Sequence, residues 1–592
     1  MMKKRKSKNV LEDSFLEQYI GLILLSPFNI VTTVVDTLFI SHGFGGSSGT
    51  YLASVALLNP VNMIFFLVSE TLMQGMNTTV SREIGKDDPK RANDLIRTGV
   101  VAGLTYAVFI TLMSILFTDG LVGFLGAADS ASDLHKGAAD YLRGFAVGIP
   151  GFMLVRLLMP LLPLDSDMKN IGIATTVMAV ADIVLDALNV FVFKMGMFGM
   201  SMASSLSIYI ALIFIIPHYF KKRFLLKLRS GKILWTDLKE ILKAGSPTTL
   251  TNLMYTVQFF VLNRMLIYTG GEIALLANSV VSTLSELFCA TNRSLGSVVH
   301  TLTGIATGEE NPTAVKSVRR CSMLYGTVGN AISGLIMIAL AVPLTGIFVS
   351  DSGTIAVVAV CVRLFGAALM VMSINCYIQN FFEAGRQQKR ANIFVLFYSG
   401  IVPISNILIF GFATGSLTGL YISYLSTQIV MWLLMFVNVT ISKKKVSFDP
   451  DDYLFLPQGF GPEPGHEMDF YIHDEKQVML ASRMAGEFVI ENDGEKRVAN
   501  LVSLAVEEMA MNVVRYGRAK KGELTVNVRL IKCLDGSFSL SIRDNSEYFD
   551  PVARLDKDGP AEEGLGIRMI AGISRSFEYI RAVNTNHLLI KI

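Results

Sequence analysis

Residues 20–41 read IGLILLSPFNIVTTVVDTLFIS, a run long enough to cross a hydrocarbon core of about 30 Å as a helix rising roughly 1.5 Å per residue. Its one charged residue is Asp36. A carboxylate deep in a spanning helix is costly unless it faces a bundle interior or a water-filled cavity, so Asp36 is a functional-site candidate. The chain from residue 1 to 441 reads as a helical bundle built around this segment.

Composition supports a membrane protein. The 592 residues are 51% hydrophobic and only 17% charged, with a mean hydropathy of +0.48, against about 25% charged in an average soluble domain. A net charge of +3 gives no reason to expect a nucleic-acid partner. The five cysteines (Cys289, Cys321, Cys361, Cys376 and Cys533) are scattered without CxxC or Cys/His spacing, which predicts neither a zinc site nor a disulfide framework. The basic start MMKKRKSKN leads through the polar LEDSFLEQ into a full-length span, so it reads as a cytoplasmic flank rather than a cleaved signal.

Apolar segments recur at roughly 17–41, 51–77, 96–118, 138–163, 170–193, 197–220, 243–269, 273–302, 319–347, 355–382, 391–412 and 416–441, about twelve spanning helices. Lys and Arg collect in alternate loops: Lys3, Lys4, Arg5, Lys6 and Lys8; Arg82, Lys86, Lys90, Arg91 and Arg97; Lys221, Lys222, Arg223, Lys227, Arg229 and Lys232; then Arg386, Lys389, Arg390 and Lys443–Lys445. The positive-inside rule makes that side, with both termini, cytoplasmic in a multi-pass cell-membrane protein. The basic linker at 221–243 divides the bundle into halves at about 10–220 and 240–441. A repeat agrees with the division: SREIGKDDPKRA (81–92) and TGIATGEENPTAV (303–315) place Gly85 and Pro89 opposite Gly308 and Pro312 after corresponding helices.

Beyond residue 441 the chain turns charged, then rich in Pro and Gly through 442–466, which reads as a linker. Residues 467–592 have the composition of a soluble domain. Helices are expected over 475–491, 496–516 and 564–573, and strands over 523–532, 537–543 and 586–592. Alternation marks the first two strands: Leu524, Val526, Val528, Leu530, then Phe538, Leu540, Ile542. A two-layer α/β sandwich, helices on an antiparallel sheet, follows.

Asp182 and Asp186 stand four residues apart in the fifth span, on one helix face. Their mutual repulsion favours holding a proton that can be exchanged. The second half has polar residues (Gln258, Asn263, Arg264, Glu286, Asn375, Gln379) but no counterpart of Asp36, and these read as interhelical contacts or cavity wall.

VVDTLFIS around Asp36, SREIGKDDPKRA in the second loop and ADIVLDALNVFVFKMGMFGMSMAS in the fifth span and beyond resemble the multidrug and toxic compound extrusion (MATE) family of cation-coupled exporters. The resemblance implies a cation site in the N-terminal half, carried here by Asp36, Asp182, Asp186 and Ser204. Asp182 stands where the family commonly has Asn, which leaves H+ and Na+ both open as coupling ions.

In the soluble part, LAVEEMAMNVVRYG (504–517), SIRDNSEYFDP (541–551) and EEGLGIRMI (562–570) resemble, in that order, the motifs of the GHKL ATPase and kinase fold, in particular the anti-sigma-factor serine kinases. The resemblance implies ATP bound with Mg2+: Glu508 as general base, Asn512 on the metal, Asp544 accepting from the adenine amino group, and Gly564 and Gly566 beside phosphate at a helix start. Ser546 and Tyr548 replace glycines usual in the second motif, and the side chain at 546 is expected to hold the backbone away from a nucleotide. His473 reads as a surface histidine, and no Walker motif G-x-x-x-x-G-K-[ST] occurs. Together these features predict a cation-coupled exporter of small cationic or amphipathic molecules, contacting membrane lipid and carrying a cytoplasmic ATP-binding regulatory domain open to a cytoplasmic protein partner. A membrane-anchored serine kinase with a transporter-like sensor, and a flippase for lipid-linked precursors, are the alternatives.

Overall fold

The computed structural model describes residues 10–43, 48–127, 129–221, 224–229, 231–457, 459–519, 523–552 and 565–592. Gly564, Lys222, Arg223 and the basic run before Val10 lie outside these residues. Among the described residues, ten helices are long and apolar enough to cross a membrane. One of them, Trp235–Phe288, breaks helical geometry at Gly271 (φ 54°, ψ −129°) and so carries both the seventh expected span and the start of the eighth, which Ala290–Gly308 completes. Helix Val10–Gly43 contains the Asp36 segment. Every apolar segment read from hydropathy is therefore helical, though several are broken. Leu58 separates Ser48–Leu57 from Asn59–Gly85 at Pro60, and a π-helical turn at Ser322–Gly326 separates Pro312–Cys321 from Thr327–Ala339. Hydropathy reports apolar length and is blind to such breaks.

The repeated loops adopt the same turn. Helix Asn59–Gly85 is followed by Asp87 in the left-handed region (φ 58°), then by Asp88, which caps the next helix by accepting from the Arg91 N–H (2.9 Å) ahead of Pro89. In the second half Ala290–Gly308 is followed by left-handed Glu310 (φ 47°) and by Asn311, which accepts from the Ala314 N–H (2.9 Å) ahead of Pro312. An N-cap oxygen followed by proline at the first helical position satisfies an orphan donor and pre-sets the backbone. The two turns also meet: a Cβ on Gly85 would lie 3.0 Å from the Gly308 Cα, and one on Gly308 would lie 2.9 Å from the Gly85 Cα. Buried Arg82 crosses the same junction, donating to the carbonyls of Ala384 (2.8 Å) and Glu383 (2.9 Å). The halves are joined, backbone against backbone, on the side that carries the basic loops.

Residues 467–592 form a five-stranded antiparallel sheet: β1 Glu467–Ile472, β2 Val526–Lys532, β3 Phe538–Asp544, β4 Ser576–Ala582 and β5 Thr585–Lys591, in the order β1-β2-β3-β5-β4. Helices Glu475–Glu491, Lys496–Tyr516 and Leu565–Ile573 share a core with its inward residues, Val526, Val528, Leu530, Phe538, Leu540 and Ile542 among them. β1 and β4 were not among the expected strands. Both are edge strands of mixed polarity, EMDFYI and SFEYIRA, and their pairing rather than their composition makes them strands. The face of the sheet away from the helices rests on the bundle through Arg529, Arg543 and His587.

Since the Gly85–Gly308 contact has no room for a side chain, Gly85→Val should destabilise the protein by about 1–3 kcal/mol through overpacking. A lower Tm in a thermal scan of the detergent-solubilised protein is expected. Gly120→Ala, whose Cβ would meet nothing within 4 Å, should leave Tm unchanged.

Candidate functional site: a buried carboxylate cluster and a motif-bearing helix face

In the membrane part, two helices bring the predicted acids together. Asp36 comes from Val10–Gly43, and Asp182 and Asp186 come from successive turns of Met168–Leu188. One carboxylate oxygen of each lies within 4.8 Å of the others. Asp182 and Asp186 are buried and Asp36 is half-buried. Helix Gly196–Ile215 supplies a donor: the Ser207 hydroxyl donates to Asp182 Oδ1 (3.1 Å), and the predicted Ser204 lies three residues earlier on the same helix, its carbonyl accepting from Ser207 (2.9 Å). Asp36 Oδ1 and both oxygens of Asp186 find no donor among the described residues. Buried oxygens are normally satisfied, so this cluster has the donor set for a proton or a small hard cation, which takes oxygen ligands. Tyr141, from helix Asp133–Leu158, lies within electrostatic reach of all three acids.

Two features of this half have no counterpart in the sequence reading. Arg156 and Glu70 form an ion pair between Asp133–Leu158 and Asn59–Gly85, with the Arg156 guanidinium 4.4 Å from the Phe66 ring centroid. Both charges stand in apolar runs, the signal by which Asp36 was found. Asn189, below the acids, closes a turn by donating to the Gly196 carbonyl (3.1 Å) and accepting from the Met195 N–H (3.1 Å). That turn aims the sixth span back beside the fifth.

In the second half, a cavity of about 180 Å³ is lined by Tyr255, Gln258, Gln379, Tyr398, Tyr424 and Gln428, with further apolar residues. Of the polar residues expected there, Gln258 and Gln379 line it. Asn375 is fully buried and donates to Gln428 Oε1 (2.8 Å), while Glu286 pairs with Arg293 at an exposed position (3.0 Å). Arg264 stacks on Phe260, 5.5 Å from its centroid. Asn263 does not line this cavity.

In the soluble part, Glu508 and Asn512 lie one turn apart on Lys496–Tyr516, both half-buried. Gly566, in the first turn of Leu565–Ile573, faces the Glu508 carboxylate so closely that a Cβ would collide with Glu508 Oε2. Asp544 ends β3 and is 5% exposed. Burial raises its pKa above the usual carboxylate range. Its Oδ1 accepts from the Ser546 N–H (2.9 Å), the Ser546 hydroxyl and Asn586 Nδ2 (2.9 Å).

Ser546 therefore has a partner that the sequence did not suggest: its backbone is not among the positive-φ residues, and its N–H and hydroxyl both donate to Asp544. Glu508 and Asn512 offer a carboxylate and an amide from one helix, and Asp544 a buried carboxylate at the end of a strand, a donor set whose chemistry suits a nucleotide with its metal. His473 is exposed, as expected.

The chain matches the MatE family over residues 23–188 and 247–409. Residues 473–592 match the histidine kinase-like ATPase domain family. A protein of Thermotoga maritima described as "Probable multidrug resistance protein NorM" is 23% identical over 424 residues, 70% of this chain and 89% of that one. The multidrug export protein MepA of Staphylococcus saprophyticus is 22% identical over 445 residues, 74% of this chain and 95% of that one. Among solved structures, an outward-facing MATE family transporter of the MOP superfamily superposes with a TM-score of 0.65 at 21% identity, covering 75% of this chain and 100% of that one. A MOP superfamily transporter from Pyrococcus furiosus gives the same TM-score of 0.65 at 21% identity and the same coverage, 75% and 100%. These superpositions show the fold of the membrane part.

If the Ser546 hydroxyl competes for Asp544, Ser546→Ala should tighten binding of a fluorescent ATP analogue to the full-length protein severalfold, and Asp544→Ala should abolish it. Because the Asp544 pKa is raised, its acceptor form is lost as pH falls through a value higher than that of an ordinary aspartate. Binding should therefore weaken on acidification earlier than a free carboxylate would.

Proposed function

The chain belongs to the MatE family, and from that premise we propose that it exports small organic molecules, cationic or amphipathic in character, in exchange for H+ or Na+. The observation that carries this reading is the cluster of Asp36, Asp182 and Asp186, with ligand oxygens within 4.8 Å of one another and Asp186 lacking any donor among the described residues. Ionised together, these groups repel in a poorly solvated site; a proton or a cation relieves the repulsion. Binding there favours one arrangement of the helices, and loss of the ion favours the other, which is what coupling requires. The multidrug export named for the relatives supports the substrate class. The half-buried Arg156–Glu70 pair and the neutral aromatic and amide cavity of the second half offer contacts to such molecules.

The positive-inside rule puts the basic loops, and the C-terminal domain seated beside them, in the cytoplasm. There the domain binds ATP and regulates the exporter. Asn512 would offer an oxygen to the Mg2+ that accompanies ATP, and Glu508 would take a proton from an attacking group. When bound, the metal would neutralise phosphate charge. A bundle that merely anchored a kinase would leave the buried acids without a role, so transport is the better reading.

In proteoliposomes, Asp36→Asn should abolish dye export driven by a pH or Na+ gradient while the protein stays inserted and folded, since a neutral side chain is cheaper in that setting. Export at the wild-type rate would make Asp36 structural. In nucleotide titrations, Asn512→Ala should weaken Mg-ATP binding more than Glu508→Gln does, because a metal ligand acts in the ground state and a general base only as charge develops. Equal affinities for the two variants would remove Asn512 from the metal.

A further inference from the structure

The C-terminal sheet is wedged among the loops of both halves. The β4–β5 turn enters the N-terminal half: the Val583 N–H donates to the Leu164 carbonyl (3.1 Å), and the Ser14 hydroxyl donates to the Val583 carbonyl (2.7 Å). Asn584 donates from its backbone N–H to the Ser166 hydroxyl (2.7 Å) and from Nδ2 to Glu17 (3.0 Å). Val583 is 2% exposed and belongs to the apolar cluster of the bundle itself.

One rung of the sheet then holds both halves. Arg543 on β3 and His587 on β5 are cross-strand partners, 3.4 Å apart at their side-chain nitrogens. Arg543 donates twice to the Glu309 carboxylate of the second half. His587 Nδ1 lies 3.3 Å from Asp87 Oδ1 in the first half. Glu309 and Asp87 belong to the repeated turns, next to the glycines Gly308 and Gly85 at which the halves touch. Arg529 reinforces the second turn by reaching the carbonyl of Glu309 (3.4 Å). Opening the bundle on this side requires those turns to separate, and the Arg543–His587 rung ties them together.

The next rung, Asp544 opposite Asn586, points to the other face of the sheet. That is the face of the nucleotide pocket. Asn586 Nδ2 bridges Asp544, the Ser546 hydroxyl (3.0 Å) and the Glu547 carbonyl (3.0 Å). A base amine taken by Asp544 competes with these donors and redraws the network around Asn586, whose neighbour along β5 is His587. Nucleotide pocket and transporter interface are thus opposite faces of adjacent rungs.

We propose that the C-terminal domain is a clamp. The Arg543–His587 rung holds one acid from each half and keeps the exporter closed on the basic side, and nucleotide at the Asp544–Asn586 rung loosens that hold. This rests on the nucleotide-binding reading above. Reciprocity follows from linkage: a domain held by the bundle binds nucleotide more weakly than a released one.

The test uses the full-length protein, a fluorescent ATP analogue with Mg2+, and dye export from proteoliposomes. Glu309→Arg, on the opposite face of the sheet from the nucleotide, should tighten analogue binding by about 5-fold or more and speed export. Adding Arg543→Glu should return both toward wild type by restoring the ion pair with its charges exchanged. Asp87→Asn, a mild loop substitution, should act in the same direction as Glu309→Arg but less. If wild type binds the analogue and both E309R and D87N match it in affinity and export, the clamp is overturned. If no protein, wild type included, binds the analogue saturably, the nucleotide reading falls and the clamp's control by nucleotide falls with it.

Discussion

Three carboxylates held within 4.8 Å of one another in a half-buried site impose a constraint that the rest of the membrane part answers. Two unit charges about 4 Å apart repel by about 4 kcal/mol at an effective dielectric near 20. Asp36, Asp182 and Asp186 therefore need protons or a cation among them. The fold keeps their setting: Met168–Leu188 stacks two acids on one face, the Asn189 turn brings Gly196–Ile215 back beside them, and Ser207 satisfies only Asp182. Asp186, without a donor among the described residues, is the group most in need of one.

A second constraint lies at the opposite level of the bundle. Gly85 and Gly308 let two helix ends touch, and Arg82 crosses between the halves to the Glu383 and Ala384 carbonyls. The contact is tight because no side chain intervenes, and it is one of several between the halves: a Cβ on Gly75 would collide with the Ile241 carbonyl, and one on Gly245 with the Thr71 carbonyl. The soluble domain lies over the same junction, one face of its sheet turned to the bundle and the other covered by its helices.

Much of this was legible in the chain. Hydropathy located the helices, and an isolated charge in an apolar run pointed to Asp36. Spacing placed Asp182 with Asp186 and Glu508 with Asn512, and a shared Gly and Pro revealed the repeated turn. What escaped was contact between distant elements. Glu70 and Arg156 neutralise each other across two helices, β1 and β4 are strands because neighbours pair with them, and Tyr141 reaches the acids only after three helices converge. The hydrogen bond from the Ser546 hydroxyl to Asp544 escaped for a similar reason, since motif comparison does not foresee it. Breaks at Leu58 and in the π-helical turn at 322–326 also leave no trace in a hydropathy average.

Coupling is tested most directly by asking whether substrate and ion exchange at the carboxylate cluster. A cationic dye added to the detergent-solubilised protein in weakly buffered solution, with pH recorded and bound 22Na+ counted in parallel, measures that exchange. Dye binding should release H+ or Na+ from the wild type and neither from Asp36→Asn. Saturable dye binding by the wild type with no release of either ion would contradict coupling through Asp36, Asp182 and Asp186.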